Sequence, residues 1–289
     1  PLMFAGIEPL LSKLPPGTLR ALQHAINARS RQLNRPPDWV QRWVSFTVVA
    51  DALTKRKRDG GMVFHLKGGA AIELRLAQDG SRTPRVSKDL DATYCGELDG
   101  IQKEVEEALA GDQQGFTFRT IRVDETATRM RHFNVQVSYR GKSFSKVKLE
   151  ISAHEGTPLA PDMIPAPDLS PFGLTAAEAF PCIPLRKQIA QKLHTVTEIP
   201  DSGEPNQRFR DLVDLVLLSA IEPPSLKLRR TCEETFHVRA RQKWPPTIAA
   251  RTEWVEPLEA LAREIGLEHT DAGAIVRQVT QYVTEIANV

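Results

Sequence analysis

The chain has 289 residues, of which 41% are hydrophobic and 26% charged, and its formal net charge at pH 7 is +2. This composition is typical of a folded globular protein, and so mild a charge does not by itself indicate a nucleic-acid-binding protein. The three cysteines form no CxxC pair and have no histidine at a zinc-ligand spacing, which argues against a disulfide framework and a structural zinc site.

The cysteines and the hydropathy pattern favour a cytoplasmic protein. We expect the thiols of Cys95, Cys182 and Cys232 to be buried and reduced. No apolar run approaches the roughly 20 residues of a membrane span, and the first 15 residues lack the layout of a signal peptide. We therefore expect no membrane partner.

The first predicted element is an amphipathic helix with Asp38 as its cap. Its apolar side chains recur at spacings of three and four: Trp39, Trp43, Phe46, Val49 and Leu53. The helix ends in the basic run Lys55–Arg58. Such a run usually faces solvent and suits the C-terminal end of the helix dipole, and contact with an RNA backbone is the alternative.

A mixed α/β region is predicted from about Met62 to Ser152. Its strands are expected at Met62–Leu66, within RVSKDLDATY, and at residues 116–123, 134–139 and 146–152. Its helices are expected at AAIELRLA and around residues 102–110.

A Pro-rich segment, residues 158–171, is the predicted connector between two domains. Residues 1–157 would hold the N-terminal helices and the α/β region, and residues 172–289 a helical domain. The predicted helices of the second part carry apolar stripes at residues 185–196 and 209–217, and two more follow at residues 256–265 and 272–287.

Lys67, Gly68 and Gly69 lie at a predicted strand-to-helix turn. Glycines without a β-carbon let backbone amides approach a phosphate, and a helix N-terminus adds a favourable field. A purely structural glycine pair is the alternative.

Ser87, Asp89 and Asp91 alternate within RVSKDLDATY, so a strand would present all three on one face. Two neighbouring carboxylates suit a hard divalent cation. The alternative is a pair of exposed acids beside Lys88 or Arg85.

Glu150 shares one strand face with Lys146 and Lys148 in KVKLEI. If this strand lies beside the one that carries Asp91, Glu150 becomes a third metal ligand or the base that takes a proton from an attacking hydroxyl. A salt bridge between Glu150 and a lysine explains the pattern equally well.

The helical part contains Lys192 and then RFRDLVDLVLLS. Asp211 and Asp214 are three residues apart and share a helix face, so they require a positive partner. One possibility is that Arg208 or Lys192 is this partner, in a structural ion pair. The alternative is that these cations bind a triphosphate.

Taken in chain order, KGGAAIEL, RVSKDLD, VKLEIS, IAQKLH and RFRDLVDLVLLS resemble the AbiEii-type nucleotidyltransferase toxins, which include the MenT-like mycobacterial toxins. The resemblance covers roughly residues 64–219, about half of the chain. It implies an α+β fold: a DNA polymerase β-like nucleotidyltransferase core with N-terminal helices and a helical C-terminal domain.

The resemblance also implies the toxin of a toxin–antitoxin pair. Such a toxin would use Mg²⁺ or Mn²⁺ to add nucleotides, chiefly pyrimidines, from an NTP to the 3′ end of the tRNA acceptor stem, which blocks aminoacylation and translation. Its partners would be tRNA and a cognate antitoxin, which is kinase-like in some systems and phosphorylates a serine matched here by Ser87.

The residue roles implied by the resemblance fall into three sets. The metal ligands would be Asp89, Asp91 and Glu150, although the third acid of such folds is often Asp. The catalytic set adds Lys192 and Asp214, and Asp214 is the alternative third acid. The nucleotide-binding set comprises Lys67, Gly68, Gly69, Ser87, Arg208 and Asp211.

Two other functions remain open from the residues alone. The same core hosts several acceptors, so a nucleotidyltransferase or kinase acting on a protein or a small molecule is one alternative. A non-catalytic module that binds RNA or the antitoxin is the other, and the joint presence of Lys192 and both aspartates argues against it. Basic segments at residues 55–58, 229–230 and 239–243 favour an RNA acceptor.

Overall fold

The fold is that of a computed structural model, which describes residues 14–78, 87–123, 130–199, 206–249 and 251–289. Two of the sequence predictions concern residues outside these ranges. They are the absence of a signal-peptide layout, which involves residues 1–13, and the alternative that places Arg85 beside Asp89 and Asp91. The described helices are α1 Leu19–Leu33, α2 Pro37–Thr54, α3 Gly68–Gln78, α4 Ile101–Ala108, α5 Leu185–Thr197, α6 Phe209–Ser219, α7 Leu226–Arg239, α8 Val255–Ile265 and α9 Ala272–Asn288. The described strands are β1 Lys57–Arg58, β2 Gly61–Met62, β3 Phe64–Lys67, β4 Leu90–Tyr94, β5 Phe116–Arg122, β6 Met130–Tyr139, β7 Lys142–Ala153, β8 Asp162–Pro165 and β9 Ala179–Cys182.

Seven of these strands form one mixed sheet in the order β5-β6-β7-β4-β3-β9-β8. β7 runs parallel to β4 and β9 runs parallel to β3, whereas the other neighbouring strands are antiparallel. The pairing of β4 with β7 sets Asp91 directly opposite Glu150. The condition stated above for a role of Glu150, that its strand lies beside the one that carries Asp91, is therefore met.

One face of the sheet packs against the N-terminal helices. Alternate residues of β6 and β7 are buried there, among them Val135, Val147 and Leu149, because successive side chains of a strand point to opposite faces. α2 is buried over most of its length, which explains its apolar sequence. The opposite face of β5, β6 and β7 carries the half-exposed and exposed residues.

A second core is built by the helices α5 to α9. α3 links the two cores, because Ala70 and Ala71 belong to the first and Ile72 and Leu76 to the second. The glycine turn at the start of α3 is thus held from both sides.

Two predicted boundaries near the N-terminal half are wrong. α2 begins at Pro37, and Asp38 lies in its first turn without a capping hydrogen bond. β4 begins at Leu90, so Ser87 and Asp89 precede the strand. The Ser87 hydroxyl donates a hydrogen bond to the Asp89 carbonyl oxygen (2.8 Å), a local bond that competes with strand pairing.

The Pro-rich segment is more than a connector. It contains β8, and the sheet continues through β9 to Cys182, after which the chain is helical from Leu185. The division into two domains stays a prediction. β8 is an edge strand, a position that tolerates proline because one side of an edge strand needs no hydrogen-bond partner.

Candidate active site

A cavity of about 480 Å³ opens between the sheet and the start of α6. Its lining contains most of the predicted site residues: Gly69, Ser87, Asp89, Asp91, Glu150, Arg208 and Asp211. Four further residues, none of which was predicted as a site residue, complete the lining: Lys88, Gln207, Phe209 and Arg210. Lys88 and Arg210 adjoin predicted residues, and their charge was the available signal.

The glycine turn is shaped to fit the carboxylate of Asp91. Gly68 has a positive φ of 60°, and a β-carbon added there would lie 1.9 Å from Asp91 Oδ2. A β-carbon on Gly69 would lie 2.7 Å from the Ser87 hydroxyl oxygen. Both glycines are therefore required by close approach, and their backbone amides open α3 beside the cavity.

Asp89 and Asp91 supply the acidic side of the cavity. Asp89 Oδ1 is buried and has no hydrogen-bond partner in the part of the chain that the structure describes. Burial raises the pKa of Asp91 to about 6, an effect opposed by the charge of Lys67 and increased by that of Glu150. Asp89 Oδ1 is thus unpaired among the described residues, and Asp91 is buried where its charged form is disfavoured.

Glu150 and Lys67 flank Asp91 on its two neighbouring strands. Glu150 is opposite Asp91 on β7, and its carboxylate lies 3.9 Å from His132 Nε2. Lys67 is opposite Asp91 on β3 and donates a hydrogen bond to the Ser152 hydroxyl (2.8 Å). Burial lowers the pKa of Lys67, while the Asp91 charge opposes this shift. The alternative explanation, a salt bridge between Glu150 and a lysine, is not found among the described residues.

Ser87 is buried, with 4% of its surface exposed. Its backbone amide donates a hydrogen bond to the Glu73 carboxylate of α3, and its hydroxyl is bonded to the Asp89 carbonyl. Ser87 therefore ties the segment before β4 to α3 at the edge of the cavity.

Lys192 bridges the two predicted acids of α6. Its ammonium lies 2.6 Å from Asp211 Oδ1 and 2.7 Å from Asp214 Oδ2. Burial lowers the pKa of Lys192, but the charges of Asp211 and Asp214 outweigh this and the net shift is upward. Lys192 is thus the positive partner that the sequence predicted for these two acids. Its charge also lowers the pKa of Asp91, so Lys192 acts electrostatically on the cavity from behind its wall.

Gln188 joins α5 to the glycine turn. Its side-chain amide donates a hydrogen bond to the Gly68 carbonyl oxygen (2.7 Å). Gln188 and Lys192 are four residues apart and share a helix face. That spacing was the only sequence signal for this contact.

The predicted set of three metal-binding carboxylates is not assembled. The described residues contain no group of three or more His, Cys, Asp and Glu side chains placed to hold one metal ion. Glu150 lies beside Asp91 but has His132 as its near neighbour. Asp89 and Asp91 remain as a two-carboxylate set.

A larger cavity, of about 530 Å³, adjoins another part of α3. Its lining is mainly apolar and includes Trp39, Trp43, Phe46 and Leu74. It contains none of the predicted site residues, and so neither Asp89 nor Asp91, the pair suited to a divalent cation. The smaller, charged cavity is therefore the candidate active site.

Residues 52–281 match the model of a protein family described as nucleotidyl transferase AbiEii toxin, type IV toxin–antitoxin system. The chain belongs to the AbiEii family. The match covers every residue that lines the charged cavity. The protein is thus a nucleotidyltransferase toxin of a type IV toxin–antitoxin system, and the resemblance found in the sequence is confirmed.

The AbiEii-family fold is also found in a solved structure, the nucleotidyltransferase toxin MenT4 of Mycobacterium tuberculosis. It is 20% identical, with a TM-score of 0.58 over 94% of this chain and 91% of MenT4. This likeness confirms the predicted α+β fold class.

Two weaker structural matches are a candidate nucleotidyltransferase from H. pylori and the antibiotic-resistance factor ANT(2″)-Ia. The first is 16% identical, with a TM-score of 0.43 over 86% of this chain and 94% of its own. The second is 17% identical, with a TM-score of 0.33 over 76% of this chain and 91% of its own. No curated protein sequence matches the chain. Among the described helices, none has the length and apolar character needed to cross a bilayer.

Proposed function

We propose that this AbiEii-family toxin transfers nucleotides, preferentially pyrimidines, from an NTP to the 3′ end of tRNA in the cytoplasm, which blocks aminoacylation and translation. The observation that carries the proposal is that Gly69, Asp89, Asp91 and Glu150 line one cavity. A phosphate-binding turn, a pair of carboxylates and a further acid are the parts that nucleotidyl transfer requires.

Asp89 and Asp91 fit a divalent cation, Mg²⁺ or Mn²⁺. The buried Asp89 Oδ1 has no other partner among the described residues. Mg²⁺ usually binds one or two carboxylates together with substrate phosphates, so two protein carboxylates are sufficient. When bound, the ion would neutralise charge on the triphosphate as the reaction proceeds.

The chain's own residues account for the remaining requirements of the reaction. Amides at the start of α3 hold the triphosphate, and Arg208 supplies positive charge from the facing wall. The 3′-hydroxyl oxygen of the acceptor forms a bond to the α-phosphorus, and the bond to pyrophosphate breaks. Glu150 accepts the proton that the hydroxyl releases.

Lys192, Asp211 and Asp214 contribute by position in this proposal. The ion pairs of Lys192 fix α6 against α5, which orients Arg208 at the start of α6. Asp214 is 2% exposed and lies behind the cavity wall, whereas Glu150 lines the cavity, so Glu150 is the better candidate for the third acid.

The type IV system implies an antitoxin partner, and Ser87 is the proposed point of control. A phosphate at Ser87 would add about −1.5 to −2 charge beside Asp89 and would repel the triphosphate. Because Ser87 is only 4% exposed, a kinase-like antitoxin would have to open the segment before β4 to reach the hydroxyl.

The direct test is to incubate the purified protein with total tRNA, Mg²⁺ and each labelled NTP in turn. We expect label from CTP or UTP at the tRNA 3′ end. Asp89→Asn should reduce the rate by at least roughly 100-fold, because a cation ligand is lost, while its melting temperature stays equal or rises slightly as one of two close negative charges is removed.

Asp99→Asn is the matched control, since Asp99 is exposed and lies away from the cavity lining. It should transfer at the wild-type rate. Label in a protein or a small molecule instead of tRNA would contradict the proposed acceptor, and full activity of Asp89→Asn would contradict the proposed cation site.

A further inference from the structure

We propose that the acceptor nucleic acid lies on the outer face of β5, β6 and β7, with its phosphates on Lys146 and Lys148. The outer face is the surface of these strands turned away from α2, and it carries Arg119, Asn134, Gln136, Lys146 and Lys148. The inference rests on the proposed function, because it concerns the acceptor of the same reaction.

The register of the sheet arranges this face in rows that lead away from the cavity. The first row crosses four strands and contains Lys67, Asp91, Glu150 and His132, of which Asp91 and Glu150 are the acids that line the cavity. The next two rows cross β7, β6 and β5 and contain one lysine each: Lys148, Asn134 and Ile121, then Lys146, Gln136 and Arg119. Neighbouring rows are about 6.6 Å apart, the distance spanned by two residues of a strand. Lys148 and Lys146 therefore follow Glu150 along β7 on the same face, and we call this line of residues the track.

The charges on this track are not cancelled by acids. Lys146 and Lys148 are exposed, and neither side-chain ammonium makes a hydrogen bond or ion pair within the residues that the structure describes. Arg119 donates hydrogen bonds to the neutral Gln136 side chain (2.8 and 3.0 Å) and keeps its charge. The two rows thus carry three positive charges and no carboxylate.

The basic runs that stand out in the sequence are different, because an acid already pairs with at least one arginine of each run. Arg56 lies 2.8 Å from Glu104, Arg229 lies 2.8 Å from Glu233, and Arg239 lies 2.8 Å from Glu155. Binding a phosphate at one of these arginines would require breaking its ion pair. Lys146 and Lys148 can bind a phosphate without first breaking an ion pair.

The chemistry of the outer face fits a polyphosphate backbone better than a protein surface. Lysines neutralise phosphates, and the side-chain amides of Asn134 and Gln136 offer hydrogen bonds to phosphate or sugar oxygens. Ile121, which is 42% exposed, is the one large apolar residue in the two rows. A protein interface would need a larger apolar centre. The track ends at Glu150, where the 3′-hydroxyl of the acceptor must arrive.

The test compares Lys146→Gln/Lys148→Gln with Lys103→Gln/Lys227→Gln. The control pair removes the same charge from exposed sites off this face and outside the basic runs of the sequence: Lys103 lies on α4, and Lys227 lies on α7. For each protein we would measure binding of a tRNA acceptor-stem hairpin over a range of salt concentrations, NTP binding, and KM and kcat for transfer.

We expect Lys146→Gln/Lys148→Gln to weaken hairpin binding about three- to tenfold and to reduce the slope of log affinity against log salt by roughly 1.5. KM for tRNA should rise while kcat, NTP binding and the melting temperature stay unchanged. An unchanged salt slope in this variant, an equal loss in the control pair, or no hairpin binding by the wild type would overturn the inference. Weaker hairpin binding by the variant, together with no transfer to tRNA by the wild type, would support the surface and reject the proposed function.

Discussion

Gly68 is held both by its backbone conformation and by the close approach of the Asp91 side chain. Its φ is positive, and an added β-carbon would lie 1.9 Å from Asp91 Oδ2. Gly68→Ala would therefore both strain the backbone and push the Asp91 carboxylate away. A displacement of about 1 Å at a catalytic group costs on the order of 100-fold in rate, so we expect at least that loss in the transfer assay.

Gly100→Ala is the control for Gly68→Ala. Gly100 has a negative φ, and an added β-carbon would meet no atom within 4 Å. We expect wild-type transfer from this variant. If Gly68→Ala also retained the wild-type rate, the turn would not be what positions Asp91.

At the scale of elements, α5 and α6 are joined by a buried ion triad. The exposed fractions of the side chains are 11% for Lys192, 9% for Asp211 and 2% for Asp214. Lys192→Met would remove the ammonium that bridges the buried carboxylates of Asp211 and Asp214, a change that typically costs about 3–5 kcal/mol of unfolding free energy. Urea denaturation would measure it.

Two further variants separate loss of the triad from loss of a lysine. Lys227→Met, at an exposed position on α7, should change the unfolding free energy by less than about 0.5 kcal/mol. Lys192→Met/Asp211→Asn/Asp214→Asn should recover part of the stability, because the buried charges are gone. A Lys192→Met protein as stable as the wild type would show that the triad does not hold α5 to α6.

The elements also show which parts of the fold the sequence could predict. The α5 and α6 stripes and the β7 alternation follow from local periodicity, and the structure confirms them. α7 was missed because Thr231, Cys232 and Thr235 occupy much of its buried face in place of large apolar residues. The Pro-rich sequence hid β8, since only its edge position makes proline acceptable there.

The candidate site was partly predictable for the same reason. Asp89 and Asp91 are close in sequence, so their proximity needed only local geometry. That Lys192 would pair with both α6 acids, and that Lys146 and Lys148 would remain unpaired, depends on which helices and strands become neighbours. No local pattern contains that information.

At the scale of the whole molecule, a buried polar group lies where the helical core meets the end of the sheet. His194 on α5 is 1% exposed, and its Nδ1 lies 3.5 Å from an Arg239 nitrogen and 3.9 Å from a Glu198 oxygen. Arg239 in turn binds Glu155, which follows β7. Burial, with a smaller contribution from Arg239, lowers the pKa of His194 to about 4. The folded protein therefore keeps this imidazole neutral well below its ordinary pKa.

This shift predicts how stability depends on pH. The unfolded chain takes up a proton on His194 below about pH 6.5, whereas the folded chain does so only near pH 4, so the neutral histidine contributes stability that is complete above about pH 6.5 and is lost as pH falls towards 4. At pH 5 the loss attributable to His194 should be about 2 kcal/mol.

His194→Leu should show a smaller drop in unfolding free energy between pH 7.5 and pH 5 than the wild type, because the carboxylates titrate alike in both proteins. His237→Leu, at an exposed position on α7, should keep the wild-type drop. Equal drops in His194→Leu and the wild type would mean that His194 is already protonated in the folded protein.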